Sequence, residues 1–302
     1  MLWLLVAISA YFLLAISSLF DRFFLVGPVK NPKAYTFYIG ALGVLICLVL
    51  LPFGINFPET KIVLFGIFIG LIRLCAMLFL AEGLSRNEVS RVVPAIGGFL
   101  PVFSFLLFFL FFPQTDTLGI FQAIAFILLV SGSVLISLRE FSLKLLNLKI
   151  LKFPLLSAFL FALNFLFSKN LFIETDFING AFLILAGGGI GALLLFSLPG
   201  VRRTVFEKAP SQKHSLLLIF AQGIGGLAVL LQYFAVFLAK PSQVPLVNAL
   251  EGTRDVFLLL FVFILSAWNP KLLKEEVQGK VFLQKIAAVA FIGMGLTILA
   301  LK

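Results

Sequence analysis

The sequence predicts an all-α integral membrane protein whose ten transmembrane helices form two inverted five-helix repeats. Three observations predict this fold class: the composition, a series of ten apolar segments, and a similarity between the two halves of the chain. Of the 302 residues, 62% are hydrophobic and 12% are charged, whereas soluble domains average roughly 45–50% and 25%. The mean hydropathy is +1.17, so we expect the outer surface to face lipid.

A helix needs about 20 mainly apolar residues to cross a bilayer. Ten segments fulfil this condition, at roughly 2–20, 36–54, 62–81, 92–112, 118–137, 153–171, 177–199, 215–239, 244–268 and 282–301. The linkers are short and carry turn residues, as in "GPVKNPK" and "WNPK". The first segment lacks the basic start and the small-residue cleavage site of a signal peptide, so we expect it to be retained.

Lysine and arginine are distributed unevenly among the linkers. Of the 23 basic residues, 17 lie after the odd-numbered segments and only 4 lie on the other side, while Arg73 and Arg254 lie inside segments. Because basic residues mark cytoplasmic loops, both termini are expected outside, in a multi-pass protein of the bacterial cytoplasmic (inner) membrane. The net charge of +10 is explained by these loops, so no nucleic-acid partner is expected.

The two halves, 1–140 and 150–302, resemble each other. "AISSLFDRFFL" aligns with "ALNFLFSKNLF", "PAIGGFLPVF" with "NALEGTRDVF", and "FQAIAFILLVSGSVLIS" with "LQKIAAVAFIGMGLTIL", all in the same order. Because each repeat has an odd number of helices, the second copy enters the bilayer from the opposite side. Inverted repeats are common in secondary transporters, which bind substrate near the midplane between the repeats.

The chain resembles the EamA-like family of the drug/metabolite transporter superfamily over nearly its whole length. The resemblance rests on the five-plus-five layout, on first helices ending in Arg22 and Lys169, on "LAEGLSRNEVSRVVPAIGGFLPVFSFLL" and on the closing glycine-rich helices. It implies export or exchange of small metabolites such as amino acids. The chain departs from the family in having Pro113 and Gln114 where members often carry Gly-Glu, and in the outward termini that its charges predict.

Four charged residues lie well inside apolar segments: Arg73, Glu251, Arg254 and Asp255. With a rise of 1.5 Å per residue, both arginines lie roughly 15 Å into their helices, near the bilayer midplane. Glu251, Arg254 and Asp255 share one helix face. One interpretation is a self-neutralising structural brace of all four charges. The other is the wall of a substrate cavity, in which an acid carries a coupling proton.

Further polar residues are candidates for the same substrate or coupling cavity, although each could equally bridge helices: Gln222, Gln232, Asn248, Asn164 and Tyr233. Three charged residues at helix ends are candidate gate or interface anchors, with snorkelling to the surface as the alternative: Arg22, Lys169 and Glu82. His214, the only histidine, lies in a basic loop, and Cys47 and Cys75 lie in apolar runs. We therefore expect no catalytic residues, metal or cofactor.

The sequence thus favours a secondary transporter that moves a small polar, amino-acid-like metabolite across the membrane by alternating access. Its partners would be that solute, the surrounding lipids and a coupling proton or ion. One alternative is a membrane-embedded structural or scaffold protein. A second is an enzyme acting on lipid-linked substrates, which is disfavoured because Arg254 shares a face with Glu251 and Asp255 and should hold both acids ionised.

Overall fold

The structure, a computed structural model, describes residues 2–86, 89–112, 119–137, 148–207, 211–268 and 280–301. These ranges are helical and contain no strand. The α-helices are α1 (Leu2–Val26), α2 (Pro32–Leu50), α3 (Thr60–Arg86), α4 (Val89–Phe111), α5 (Ile120–Ser137), α6 (Leu148–Glu174), α7 (Phe177–Phe196), α8 (Pro199–Glu207), α9 (Gln212–Leu238), α10 (Val244–Ala249), α11 (Glu251–Trp268) and α12 (Lys280–Leu301).

Helices cover all ten predicted segments, and seven helices in the described ranges are long and apolar enough to cross a membrane: α1, α2, α3, α6, α7, α9 and α12. In α4 and α5 the apolar stretches are shorter, Ala95–Phe111 and Ile120–Ile136. The predicted segment 244–268 is divided between α10 and α11. The sequence did not predict α8, a nine-residue helix that follows α7 and buries only Val201.

Polar residues in the linkers start several helices by capping free backbone N–H groups. The Asn31 side chain accepts from the N–H groups of Lys33 and Ala34, and Pro32 occupies the first turn of α2. Asp176 accepts from the Asn179 N–H at 2.9 Å and begins α7. The linkers therefore set the helix boundaries that hydropathy leaves open.

The most extensive helix pairs all join the first half of the chain to the second. They are α1 with α9, α5 with α12, α3 with α6, α2 with α7, α3 with α7, and α4 with α6. Pairs within one half, such as α4 with α5 and α2 with α3, are smaller. The halves are thus interleaved rather than packed side by side.

Glycines bring α3 and α7 into backbone contact. A Cβ atom added at Gly70 would lie 2.7 Å from the Gly188 nitrogen, and one at Gly187 would lie 2.8 Å from the Ile67 Cα atom. Gly66 faces Leu183 across the same seam. Small residues four apart permit this approach between membrane helices, where close packing contributes much of the stability. Gly187, in the "GGG" run of residues 187–189, thus serves close helix packing.

Successive helices run in opposite directions, so the described linkers lie at two opposite ends of the bundle. At one end, the Asn31 side chain between α1 and α2 donates to Thr204 of α8 at 3.1 Å, and the guanidinium of Arg86 lies 4.8 Å from the centre of the Phe153 ring. At the other end, the Asn56 N–H donates to the Asn179 side chain at 2.9 Å. The first end carries most of the basic linkers and is the end predicted to be cytoplasmic.

Candidate functional site

The candidate site is built around the interruption between α10 and α11. Leu250 separates the two helices, and the last carbonyls of α10 therefore lack partners from a continuing helix. The Tyr11 hydroxyl of α1 donates to the Val247 carbonyl at 2.9 Å. Beside it, the Asn248 side chain donates to Ser104 of α4 at 2.8 Å. Side chains from the first half therefore stabilise the break in the second half.

The ionic residues occupy the first turns of α11. Arg254 Nη1 lies 2.6 Å from Glu251 Oε1, and Arg254 Nε lies 3.9 Å from Asp255 Oδ1. Glu251 is 5% exposed, Asp255 is 9% exposed and the Arg254 side chain is 13% exposed. The three predicted charges thus form one cluster that is nearly closed off from the surface.

The cluster is not saturated with hydrogen bonds. Within the described residues, Asp255 Oδ2, Arg254 Nε and Asn248 Oδ1 are buried without a hydrogen-bond partner. Asp255 Oδ2 points towards Gly97 of α4, where an added Cβ would lie 3.3 Å from it. Gly97 is the residue that the repeat alignment pairs with Glu251, so the first half leaves space where the second half places its acid.

Arg73 does not join this cluster. In the ranges that the structure covers, no carboxylate oxygen lies within the 4.0 Å ion-pair distance of its guanidinium, and the residue is partly exposed. Its charge acts instead on Tyr233, whose hydroxyl donates to Asn164 Oδ1 at 3.1 Å. The Asn164 amide in turn donates to the Ile69 carbonyl at 3.2 Å. Within the described residues, the ion pairs therefore join Glu251, Arg254 and Asp255 and do not include Arg73.

Helix α9 lies between these two polar groups. The Gln232 side chain lies near the Tyr11 hydroxyl on the α1 side, while the adjacent Tyr233 hydroxyl donates to Asn164 on the α6 side. The fold thus brings Gln232 and Asn248 near the ionic cluster through Tyr11, and places Asn164, Tyr233 and Arg73 together elsewhere.

Sequence reasoning missed Asp21 and Tyr35. The predicted first segment stopped at residue 20, but α1 continues to Val26 and carries Asp21 into the helix interface. There the Tyr35 hydroxyl of α2 donates to Asp21 Oδ1, and the Gln222 amide of α9 donates to the Tyr35 oxygen at 3.3 Å. Asp21 also lies within electrostatic range of Arg254, so Gln222 is linked to the ionic cluster through Tyr35 and Asp21.

The candidate anchors are placed differently from one another. Lys169 is buried and its Nζ donates to the Phe237 carbonyl at 3.0 Å, which links α6 to α9. Glu82 pairs with Arg86 at 2.8 Å on the same helix. The Arg22 backbone lies in α1, and its side chain lies outside the described set. Their gating role remains a prediction.

A cavity of about 430 Å³ opens at the end of the bundle predicted to be cytoplasmic, where the α1–α2 linker, the end of α3 and the α7–α8 linker meet. Lys33 and Glu82 supply its charged groups. It is separate from the ionic cluster on α11.

No protein-family profile matches the chain, and none of the curated proteins matches it. A solved crystal structure of another protein has the same fold, with a TM-score of 0.67 and 18% sequence identity. The similarity covers 98% of this chain and 97% of that chain. At this identity the likeness establishes the overall fold and carries no function.

Proposed function

We propose that this chain is a secondary transporter of the EamA-like, drug/metabolite type, with ten membrane-spanning helices in two inverted five-helix repeats. It moves a small polar solute by alternating access. The helix pairs support the repeat, because exchanging the halves converts the α1–α9 pair into the α6–α3 pair and leaves α2–α7 and α5–α12 unchanged. A two-fold relation in the membrane plane has this consequence.

The interrupted helix with buried charges is the observation that carries the proposal. Secondary transporters form their binding sites at discontinuous helices near the bilayer midplane, where free backbone groups and intramembrane charges meet. Here the break at Leu250 lies directly before Glu251, Arg254 and Asp255. A continuous apolar helix would be the simpler solution if the segment only anchored the protein.

An asymmetry between the repeats supports alternating access. Helix α3 packs extensively on α7, whereas the equivalent α9 contacts α2 only slightly. The two proposed repeats thus pack differently at equivalent positions of the same molecule. Exchanging these two arrangements would open the site to the opposite side, as rocking of one repeat against the other requires.

The test is uptake and efflux of a labelled solute panel in proteoliposomes, with and without a pH gradient. We expect at least one polar solute to move in the wild type, and Glu251→Gln and Asp255→Asn to abolish this movement while remaining folded. Glu207→Gln is the matched control, since its exposed carboxylate pairs with Arg203 on the short helix α8 and lies outside the ionic cluster.

A scaffold function is favoured by one observation, the near-complete closure of Glu251 and Arg254 from the surface. A brace would behave differently in the same assay. No solute would move in the wild type, and Glu251→Gln and Asp255→Asn would only lower stability. That result would replace transport with a structural role.

A further inference from the structure

The interior seam between α1 and α11 holds more negative than positive side chains. Three carboxylates, Asp21, Glu251 and Asp255, lie around a single arginine, Arg254, whose charge interacts with all three. The other interior cations do not offset this local imbalance: Arg73 lies near Tyr233 and Lys169 Nζ donates to the Phe237 carbonyl, and within the described residues neither forms an ion pair with these acids. Burying uncompensated charge in a low-dielectric interior is costly, so the excess must be balanced by bound protons or by a bound cation.

A second observation shows where positive charge would be received. Asp255 is nine-tenths buried, and its Oδ2 atom has no hydrogen-bond partner among the described residues. This oxygen faces the position where Gly97 has no side chain. An acceptor left unpaired in an apolar interior is unfavourable, and a proton or a positively charged ligand would offset this cost.

The other groups around the seam do not supply the missing positive charge. The described ionisable groups that face it are Asp21 and Tyr11 from α1 and Tyr35 from α2. Among the described side chains that contact the seam from α4, α5, α9 and α12 are Gly97, Ser133, Gln232 and Ile292, none of which carries a charge. The acids are spread along the seam, and no described group of three His, Cys, Asp or Glu residues could hold a metal ion.

Building on the proposed transport function, we infer that the α1–α11 seam binds a positively charged organic solute in exchange for protons carried by Asp21, Glu251 and Asp255. The cation enters as one or more protons leave these carboxyls, so the buried charge stays nearly balanced in both states. This changes the solute class suggested by the sequence. Four charges that sum to zero would suit a neutral solute, whereas the observed seam suits a cation.

The first experiment measures proton release in weakly buffered detergent solution when tetramethylammonium or guanidinium is added. Neither ion gives up a proton near neutral pH, so any acidification comes from the protein. We expect release from the wild type and from Glu207→Gln, and its loss in Asp255→Asn and Asp21→Asn. Absence of release with both ions, or unchanged release in both seam variants, would overturn the inference.

A second pair of variants tests the site without changing any charge. Gly97→Ala places a methyl group 3.3 Å from Asp255 Oδ2, whereas Gly98→Ala places one 3.1 Å from Val134 of α5. Both substitutions crowd α4 to a similar degree, but only the first fills the space beside the unpaired oxygen. We expect weaker cation-induced release in Gly97→Ala alone, and equal release in both variants would contradict the assigned position.

Transport assays separate this inference from the proposed function. Proteoliposomes are given tetramethylammonium, alanine or lactate as cationic, zwitterionic and anionic solutes. If alanine or lactate moves and cations do not compete, the protein is a transporter but the cation site is refuted. If cations release protons and nothing is transported, the site stands and the transport function fails.

Discussion

The glycine seam between α3 and α7 allows a stability prediction with an internal control. In Gly187→Ala the new methyl group would meet Ile67 backbone atoms 2.8 Å away, where ordinary contacts begin at 3.4 Å. The Ile67 carbonyl oxygen would lie closer still, so the helices must separate by more than about 0.6 Å, because a backbone cannot rotate aside as a side chain can. Overpacking of this kind costs about 1–3 kcal/mol.

The neighbouring Gly188→Ala substitution isolates this cost. A Cβ atom at Gly188 meets nothing within 4 Å. Both variants gain the same helix propensity of about 0.5–1 kcal/mol, so the difference between them reflects the clash. We expect Gly187→Ala to be less stable than Gly188→Ala by about 1–3 kcal/mol.

Reversible unfolding by SDS in mixed micelles, followed by circular dichroism, would measure both free energies of unfolding. The close α3–α7 approach would be refuted if the two variants differed by less than about 0.5 kcal/mol, the range typical of substitutions that touch nothing important. If Gly188→Ala had a lower free energy of unfolding than the wild type, the space beside Gly188 would have to be occupied.

Three further predictions concern the site and the topology. Tyr11→Phe leaves the Val247 carbonyl unpaired at the helix break and should lower the free energy of unfolding by about 1–2 kcal/mol, whereas Tyr38→Phe, whose hydroxyl has no described hydrogen bond, should change it little. Arg254→Gln removes the arginine paired with Glu251 and should cost about 3–5 kcal/mol, against less than about 1 kcal/mol for Arg203→Gln in its exposed pair. In intact cells, with the native cysteines replaced, a membrane-impermeant thiol reagent should label Glu59→Cys and spare Arg203→Cys, and the reverse pattern would invert the predicted orientation.

The sequence predicted the helices well because lipid demands long apolar segments and satisfied backbones. It did not predict the break at Leu250, because hydropathy continues through it and the freed Val247 carbonyl depends on Tyr11, a residue far away in the chain. Alternative backbone conformations are tolerated where a neighbouring helix supplies the missing partner. Only the tertiary arrangement reveals that partner.

The sequence also could not predict which residues come together at the site. Counting residues along a helix gives depth, and it placed Arg73 and Arg254 at the same level. Depth does not specify the neighbouring helix: Arg73 lies near Tyr233 and, within the described residues, forms no ion pair with Glu251. Asp21 was missed because it adjoins Arg22 at the end of the predicted segment, where charged residues normally mark a helix end at the interface.

The interleaving of the halves has a consequence for the assembly of the protein during synthesis. The main partner of α1 is α9, so Tyr11 is inserted long before Val247, whose carbonyl it binds, has been made. Unpaired polar groups are costly in lipid, so the early helices must wait in a partly solvated or chaperoned state. Neither half is then a separate folding unit, and a chain interrupted between α5 and α6 should be stable only when both fragments are produced together.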